Sequence, residues 1–474
     1  NFYKMKLAIV SLIKNESRQP PVGLMRIAGY IKQKAKDVNV KFIDNAFEDI
    51  YKEIKIFKPD IIGLTTYTSY YQDSIDFASK MKFLYPDVKI IVGGPHITTL
   101  PESLNKDFDF AVLGQGEVRL LKLLQAIKQN KTPKNIDGVA YWDNGEIKII
   151  KRKEEKELEL DDSVTDYSLL HKDYWKKRFI FEITDFQVYM GVISSLGCPY
   201  NCLFCSVKAC WGNIKYRNIK KVIEEIKELY YKYNVRHIEF YDDLFALNKN
   251  RLKEFYSELK KENLLNKLTF SCFARADAFN EDLCKILKKI NVKSITFGFE
   301  SGSDRILKFI KNNPSSSVKQ NRDSILLCRK YKINVSGGIV TGNPTEKIED
   351  MKKNLQFIRY ARKKGALRLW IQILVPFPAT YIWDLGKRQN KIPDNYLEIN
   401  WNNIQIHNKD NPLFLDSDVS YTEFLKYYNL AKKECLFFIY PVFIKTISNN
   451  PLNIFYFLME FKYYLQRLLV FSKQ

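Results

Sequence analysis

The sequence predicts an α/β protein: a doubly wound (flavodoxin-like) parallel sheet over residues 1–150, a linker at 151–175, a partial (β/α)6 barrel over 176–395 and a small α-helical domain over 396–474. Three observations predict it. Short apolar runs alternate with helical stretches through the first 130 residues, six more such runs alternate with helices between 190 and 375, and beyond about residue 400 the pattern turns helical and aromatic. With 46% hydrophobic and 27% charged residues the chain has a folded composition, and its 474 residues supply two to four domains at roughly 100–200 residues each.

In chain order, residues 7–12 (LAIVSL) form the first buried-strand run. A loop with Pro20 and Pro21 follows, then a helix over 23–36 whose Leu24, Ile27, Ala28 and Ile31 share one face. Residues 40–43, 60–65, 88–92 and 110–113 repeat the strand pattern, with helical segments between them. Such strands pair in parallel and carry ligands beyond their carboxyl ends. A hairpin (138–142 and 147–150, turning at Asp143-Asn144-Gly145) closes this part, and the charged stretch 151–162 reads as a linker. The second series comprises strands at 192–196, 237–241, 268–273, 294–299, 334–340 and 369–375, with helices including 220–233 and 251–261. A barrel of this kind places its site at the C-terminal strand ends.

Residues at those ends are therefore the candidates. Thr65-Thr66-Tyr67-Thr68-Ser69 follows the third strand, Gly93-Gly94-Pro95-His96 the fourth, and Gly114-Gln115-Gly116-Glu117 the fifth. Small residues let a large ligand approach the backbone, although each segment alone also suits a tight turn. Gly114–Gly116 is not a dinucleotide fingerprint, because Arg119 occupies the third glycine position.

Of the eight cysteines none precedes Cys198, and Cys198, Cys202, Cys205 and Cys210 fall within thirteen residues, the pattern of a metal site in a reducing compartment. The absence of a signal core and of an 18-residue apolar run predicts a cytoplasmic chain without a spanning helix. Cys198-Pro199-Tyr200-Asn201-Cys202-Leu203-Phe204-Cys205 has the spacing C-x3-C-x2-C in a loop after the first barrel strand. A structural zinc site would need a fourth ligand, for which Cys210 is the nearest candidate. Three thiolates on a cubane iron–sulfur cluster instead leave one iron open, with Leu203 and Phe204 shielding it from water.

The spacing, with an aromatic before the last Cys, resembles the cluster motif of radical S-adenosylmethionine (SAM) enzymes. Tyr241-Asp242-Asp243-Leu244-Phe245 resembles that superfamily's D-D-x-F segment, Gly298-Phe299-Glu300-Ser301-Gly302 its G-x-E-S turn, and the stretch from Gly338 and Val340 to Glu346 the segment beside the adenine. Arg275 ends the third barrel strand, and an ion pair with Glu300 is the structural alternative to a cofactor role for both. One departure is Ala379, which stands where the family usually places Gly. The resemblance implies a [4Fe-4S] cluster on Cys198, Cys202 and Cys205, with SAM on its open iron.

The first 150 residues resemble the cobalamin-binding domain of one radical SAM branch, through 21–30, 59–69, 93–98 with Pro101-Glu102, and 114–117; all resemblances together cover roughly residues 5–385. The D-x-H-x-x-G motif is absent, which implies cobalamin without a His on the metal. Its lower face would rest on the loop Thr65–Tyr70 with Tyr67 foremost, His96 would be a polar or turn contact, and the Gly93-Gly94 and Gly114–Glu117 turns would hold the nucleotide tail. The implied activity is C-methylation of an unactivated carbon by means of a 5′-deoxyadenosyl radical and methylcobalamin, with electrons from an external flavodoxin or ferredoxin. A non-methylating member of the branch, such as an oxidative cyclase, shares every motif, and a cobalamin or iron–sulfur carrier or sensor is the rival from another class. A methylthiotransferase would need cluster cysteines before the barrel, where there are none.

The net charge of +22 is diffuse and accompanies no nucleic-acid motif, so no nucleic-acid partner is expected. Residues 436–444 and 452–471 are rich in Phe, Tyr and Leu and flanked by Lys445, Lys462, Arg467 and Lys473. They form either a helical cap on the barrel or a surface that meets a membrane peripherally, and they make a lipid or other hydrophobic small molecule the first expectation for the substrate.

Overall fold

Apolar runs without polar alternation become strands covered on both faces, and the first part of the chain follows that rule. In the computed structural model, which describes residues 4–13, 19–152, 159–397, 399, 401, 419–438, 442 and 446, it comprises β1 (Met5–Ser11), α1 (Val22–Lys34), β2 (Val38–Asp44), α2 (Ile50–Phe57), β3 (Ile61–Thr65), α3 (Tyr71–Leu84), β4 (Lys89–Gly93), α4 (Pro95–Thr99), β5 (Phe110–Val112), α5 (Glu117–Lys128), β6 (Val139–Asp143) and β7 (Glu146–Ile150). Sheet order is β2-β1-β3-β4-β5-β6-β7, parallel through β5 and antiparallel for the hairpin β6–β7. The period of two sorts β1 between two cores: Leu7 and Ile9 pack with Met25 and Leu123, Ala8 and Val10 with Ile54 and Phe77.

The second part begins with a hairpin, β8 (Arg178–Ile180) and β9 (Asp185–Gln187), and continues with β10 (Tyr189–Val192), β11 (Ser195–Leu196), α6 (Val207–Trp211), β12 (Lys215–Tyr216), α7 (Ile219–Tyr233), β13 (His237–Phe240), α8 (Lys249–Lys261), β14 (Thr269–Ala274), α9 (Glu281–Ile290), β15 (Val292–Glu300), α10 (Asp304–Ile310), α11 (Val318–Lys330), β16 (Asn334–Thr341), α12 (Ile348–Lys363) and β17 (Arg368–Ile373); α13 (Tyr381–Arg388) and α14 (Tyr421–Leu436) follow. β10, β13, β14, β15, β16 and β17 pair in that order, all parallel, as a partial six-stranded barrel. α7 illustrates the outer ring. Asn218 caps it by accepting from the Lys220 amide, Val222, Ile223, Ile226 and Leu229 face the strands, and Asn234 ends it at φ +57.

Two features depart from the sequence reading. The first barrel strand is Tyr189–Val192 and not 192–196, because the Ser194 amide donates to Asp242 (2.6 Å) while β11 pairs antiparallel with β12. The hairpin β8–β9 lies at the base of the barrel, where Asn334 Nδ2 donates to the Glu182 carbonyl (2.8 Å).

Buried polar contacts fasten the two parts together. Arg26 donates to the Leu160 carbonyl (2.6 Å), Tyr174 to Asp44 (2.5 Å) and Tyr167 to Glu225 (2.6 Å). α14 is tied to α12 through Arg359–Glu434 (2.7 Å). Phe438 and Val442 are buried and Phe437 is half exposed, while residues 439–441, 443–445 and 447–474, including all of 452–471, lie outside the described residues. No described helix is long and apolar enough to cross a membrane.

Candidate active site

Cys198, Cys202 and Cys205 stand on the loop at the C-terminal lip of the barrel, each partly exposed, whereas Cys210, Cys272, Cys284 and Cys328 are buried. The loop is fastened along its length. Asp242 accepts from the Ser194 amide, the Ser194 hydroxyl and the Ser195 hydroxyl, each at 2.6 Å, and Asp243 accepts from the Gly197 amide at 3.1 Å. In mid-loop, the Leu203 amide donates to the Ile310 carbonyl (2.8 Å), and the Leu203 carbonyl accepts from the Ile382 amide (3.2 Å). Beyond the last cysteine, Arg152 from the end of the first sheet donates to the carbonyls of Ala209 and Cys210, both at 2.8 Å.

Arg275 brings a cation to the thiols. Its Nη1 lies 2.9 Å from Cys202 Sγ, and its plane covers the Tyr200 ring at 3.8 Å. Asp277 orients it through two bonds (2.9 and 2.7 Å) and also accepts from Ser316 (2.6 Å). The ion-pair partner of Arg275 is thus Asp277 and not Glu300. Burial pushes the Cys205 thiol up to about 12, so holding it as a thiolate requires a positive centre beside it. Among the described residues no three His, Cys, Asp or Glu side chains converge on the point that a single ion would occupy. The partly exposed thiols and the adjacent guanidinium suit a cluster that is larger than one ion and carries net negative charge.

Glu300 holds φ +63, a conformation that costs a non-glycine residue about 1–2 kcal/mol. Its carboxylate folds back over Gly298, where a Cβ would stand 2.1 Å from Oε1, and Lys311 Nζ caps the Gly298 carbonyl at 2.8 Å. Burial raises the Glu300 carboxyl, against the pull of Lys311 and Arg275. Ser301, expected to face the ligand, is fully buried and bonded to Asn354 (3.2 Å), so it supports the strained turn from behind. Val340 and Phe204 meet in one apolar cluster with Ile373 and Phe424. Glu346 accepts from the Gly342 and Asn343 amides and from Thr341 and Asn354, and so serves that turn. Asp242 is likewise fully buried and positions the cysteine loop, while Tyr241 turns its ring over Gly191 into the barrel.

On the first sheet, Gly63, Gly93, Gly94, Gly114 and Gly116 join Ile9 and Leu24 around a slot at the strand ends. Gly94 holds φ +97, and a Cβ there would lie 2.5 Å from Thr65 Oγ1 and 2.8 Å from the Thr66 backbone. Gly114 holds φ +73 and donates to Thr98 (2.9 Å). Such a glycine-lined apolar slit fits a flat ring and a nucleotide tail approaching the backbone closely. Tyr67, on the loop after β3, is 41% exposed, and loss of solvation raises its phenol despite a hydrogen bond to Thr65. His96 makes polar contacts inside the turn, the role expected of it from the sequence. It is fully buried, its Nδ1 meets Thr68 and its Nε2 meets Ser103, both at 3.1 Å, and Trp401 packs edge-on at 4.4 Å. Both of its ring nitrogens are thus engaged within the turn. Glu117, also expected at the nucleotide tail, is buried 3.9 Å from Arg26.

The slot and the cysteine loop adjoin. Cys210 Sγ contacts the Pro95 carbonyl at 3.9 Å, and α4 packs on α6. This contact and burial, which pushes the Cys210 thiol up to about 11, make Cys210 a joint between the halves. Asp243 was quoted from the sequence only as part of the D-D-x-F segment, without a role of its own, and Asp277, Lys311 and Arg152 carry no local signal.

The family profile of the radical SAM superfamily matches residues 192–358, and that of the B12 binding domain matches residues 9–124. An uncharacterized methyltransferase of Pyrococcus horikoshii is 31% identical over 392 residues, covering 81% of each chain. The anaerobic magnesium-protoporphyrin IX monomethyl ester cyclase of Rubrivivax gelatinosus is 26% identical over 352 residues, 72% of this chain and 62% of that one. In fold, the radical S-adenosylmethionine methyltransferase TsrM of Kitasatospora setae, solved with cobalamin and a [4Fe-4S] cluster, superposes with a TM-score of 0.71 at 15% identity, covering 90% of this chain and 91% of that one.

Proposed function

The chain belongs to the radical SAM superfamily, with a B12 binding domain ahead of its barrel, and from that premise we propose that it is a cobalamin-dependent C-methyltransferase acting on an unactivated carbon of a small molecule with an apolar body. One observation supports this above the rest: the loop presenting three thiols and the glycine-lined slot pack on each other through Cys210–Pro95 and Arg152. When bound, the cluster supplies an electron, SAM a radical source and methylcobalamin a methyl group.

The chain's own residues hold and orient these groups. Cys198, Cys202 and Cys205 would ligate the cluster, and Arg275, fixed by Asp277, offsets its negative charge at Cys202. Glu300, Gly338, Val340 and Phe204 would bound the SAM site, with Gly298 leaving room for the Glu300 carboxylate and Gly338 for the Trp370 ring. Gly93, Gly94, Gly114 and Gly116 would line the nucleotide tail, and Tyr67, with Thr65 and Thr68 beside it, would stand beneath the corrin. We assign residues 1–150 to the cobalamin half, 151–175 to the linker, 176–395 to the barrel and 396–474 to the C-terminal domain, and place the enzyme in the cytoplasm with an external flavodoxin or ferredoxin as electron donor. Flotation of the full chain with anionic vesicles tests peripheral membrane contact by its C-terminal domain.

Reduced, reconstituted protein given SAM should release 5′-deoxyadenosine, and label from methyl-deuterated SAM should appear in a product of cell extract. Cys198→Ala should abolish both. Zinc-loaded, iron-free protein after anaerobic reconstitution would overturn the assignment. A product lacking the methyl label but losing two hydrogens would favour the cyclase reading, in keeping with the named activity of the R. gelatinosus relative.

A further inference from the structure

Two neighbouring strand ends of the barrel are fastened to each other from behind by one helix. β15 ends at Glu300 and its partner β16 at Thr341, and α12 begins a few residues beyond the second. Asp350 and Asn354 stand one helical turn apart on α12 and so share a face. Gly302 lets that helix come close, since a Cβ there would stand 2.4 Å from the Lys353 carbonyl oxygen.

Asn354 makes the inner fastening. Its Oδ1 accepts from the Gly302 amide (2.6 Å) and the Ser301 hydroxyl (3.2 Å), and its Nδ2 donates to Glu346 Oε1 (3.1 Å). Glu346 Oε2 accepts from the Gly342 amide (2.5 Å), the Asn343 amide (3.0 Å) and the Thr341 hydroxyl (3.1 Å). Backbone amides only donate, so they fix which way the side chains turn: the Asn354 oxygen toward Gly302 and its nitrogen toward Glu346. Asn354, Glu346 and Ser301 are 0–1% exposed, so no water replaces these bonds. Arg305 makes the outer fastening. It donates to the Thr345 carbonyl (2.6 Å) and hydroxyl (2.9 Å) and pairs with Asp350, which also accepts from the Ser303 hydroxyl (2.5 Å). Each of the two turns contains a non-glycine residue in left-handed backbone, Glu300 and Thr345, both at φ +63. Such a conformation persists only where its surroundings over-determine it.

We propose that Asn354, assisted by Arg305, is a positioning residue for SAM: it holds the turn that carries Glu300 and the turn 342–346 at one separation, and acts on the cofactor only through them. The inference rests on the reading that these two turns bound the SAM site. A ligand seated against two turns depends on their spacing as much as on the shape of either, and here the spacing is set by side chains that lie behind both.

Equilibrium dialysis of the anaerobically reconstituted full chain with SAM, without reductant so that nothing turns over, tests the proposal beside iron per chain and melting. The measurement is made at about pH 8, above the value of about 7 to which burial pushes the Glu346 carboxyl. Asn354→Asp sets a carboxylate against Glu346, and Glu346→Gln sets two amide nitrogens against each other. Each should weaken SAM binding at least about tenfold, equal to about 1.4 kcal/mol, at unchanged iron content. In the double variant the new amide at 346 donates to the new carboxylate at 354, while its oxygen still takes the Gly342 and Asn343 amides. Affinity should then return to within about threefold of wild type. Arg305→Gln changes a half-exposed side chain where folding is not at stake, and should weaken SAM binding about threefold. A merely structural role lowers melting temperatures and leaves SAM affinity unmoved; that result, or a double variant no tighter than the single ones, would overturn the proposal. A wild type that does not bind SAM would overturn the functional reading and this inference with it, whereas a wild type that binds SAM no better than its folded variants overturns the inference alone.

Discussion

Asp242→Ala should unfasten the cysteine loop while leaving every cysteine in the chain. The carboxylate accepts three hydrogen bonds of 2.6 Å from Ser194 and Ser195, which are 0% and 2% exposed. Each buried donor left without an acceptor costs about 1–3 kcal/mol. The two hydroxyls can rotate toward other acceptors, but the Ser194 amide cannot, so the sum is about 3–5 kcal/mol. Part of this is offset, because burial already disfavours the ionised Asp242 and raises its carboxyl. At about 2–4 °C per kcal/mol for a domain of this size, the barrel should melt at most roughly 6–20 °C earlier. Asp242→Asn keeps the shape and one acceptor oxygen and should lose about 1–2 kcal/mol. Calorimetry of the apo protein and iron per chain after anaerobic reconstitution read the two consequences separately. Melting of Asp242→Ala within about 2 °C of wild type, with full iron uptake, would refute the argument.

Three further outcomes follow from the geometry. Burial lowers His96 and His237 to about 3; both become protonated on unfolding in acid, so their contribution is full above the ordinary value near 6.5 and is lost as pH falls toward 3. At pH 5 each should have lost about 2 kcal/mol, and the urea midpoint of His96→Gln or His237→Gln should fall less between pH 7 and 5 than that of wild type. Ala379 holds φ +59, where the family's usual Gly would be unstrained, so Ala379→Gly should raise stability by about 1 kcal/mol in denaturant titration. Gly94→Ala forces a Cβ against the Thr65 hydroxyl and the Thr66 backbone; it should abolish cobalamin retention on gel filtration while sparing iron uptake in the barrel.

Much of the architecture was legible because the chemistry is local. Short unalternated runs such as 7–12 and 88–92 can be covered only in a parallel sheet, and the cysteine spacing needs no tertiary information. Legibility ended where partners are remote. The run 192–196 reads as a strand, yet Asp242, 48 residues on, captures the Ser194 amide from the ladder. Strands of three residues such as β8 and β9 leave no periodicity to read. Asp277 as the orienter of Arg275, and Ser301 as a buried prop instead of a lining residue, depend on which way side chains turn at a strand end.

Arg152 reaches from the tail of one half to the carbonyls just past the last thiol of the other. A berth moored to both shores exists only once both shores are in place. Iron loading should therefore come late in maturation, after the halves have docked, and a chain stalled with its halves apart would take up metal loosely and lose it to a mild chelator. Oxygen damage at the berth should in turn slacken the mooring, so that loss of cobalamin becomes an early sign of cluster decay.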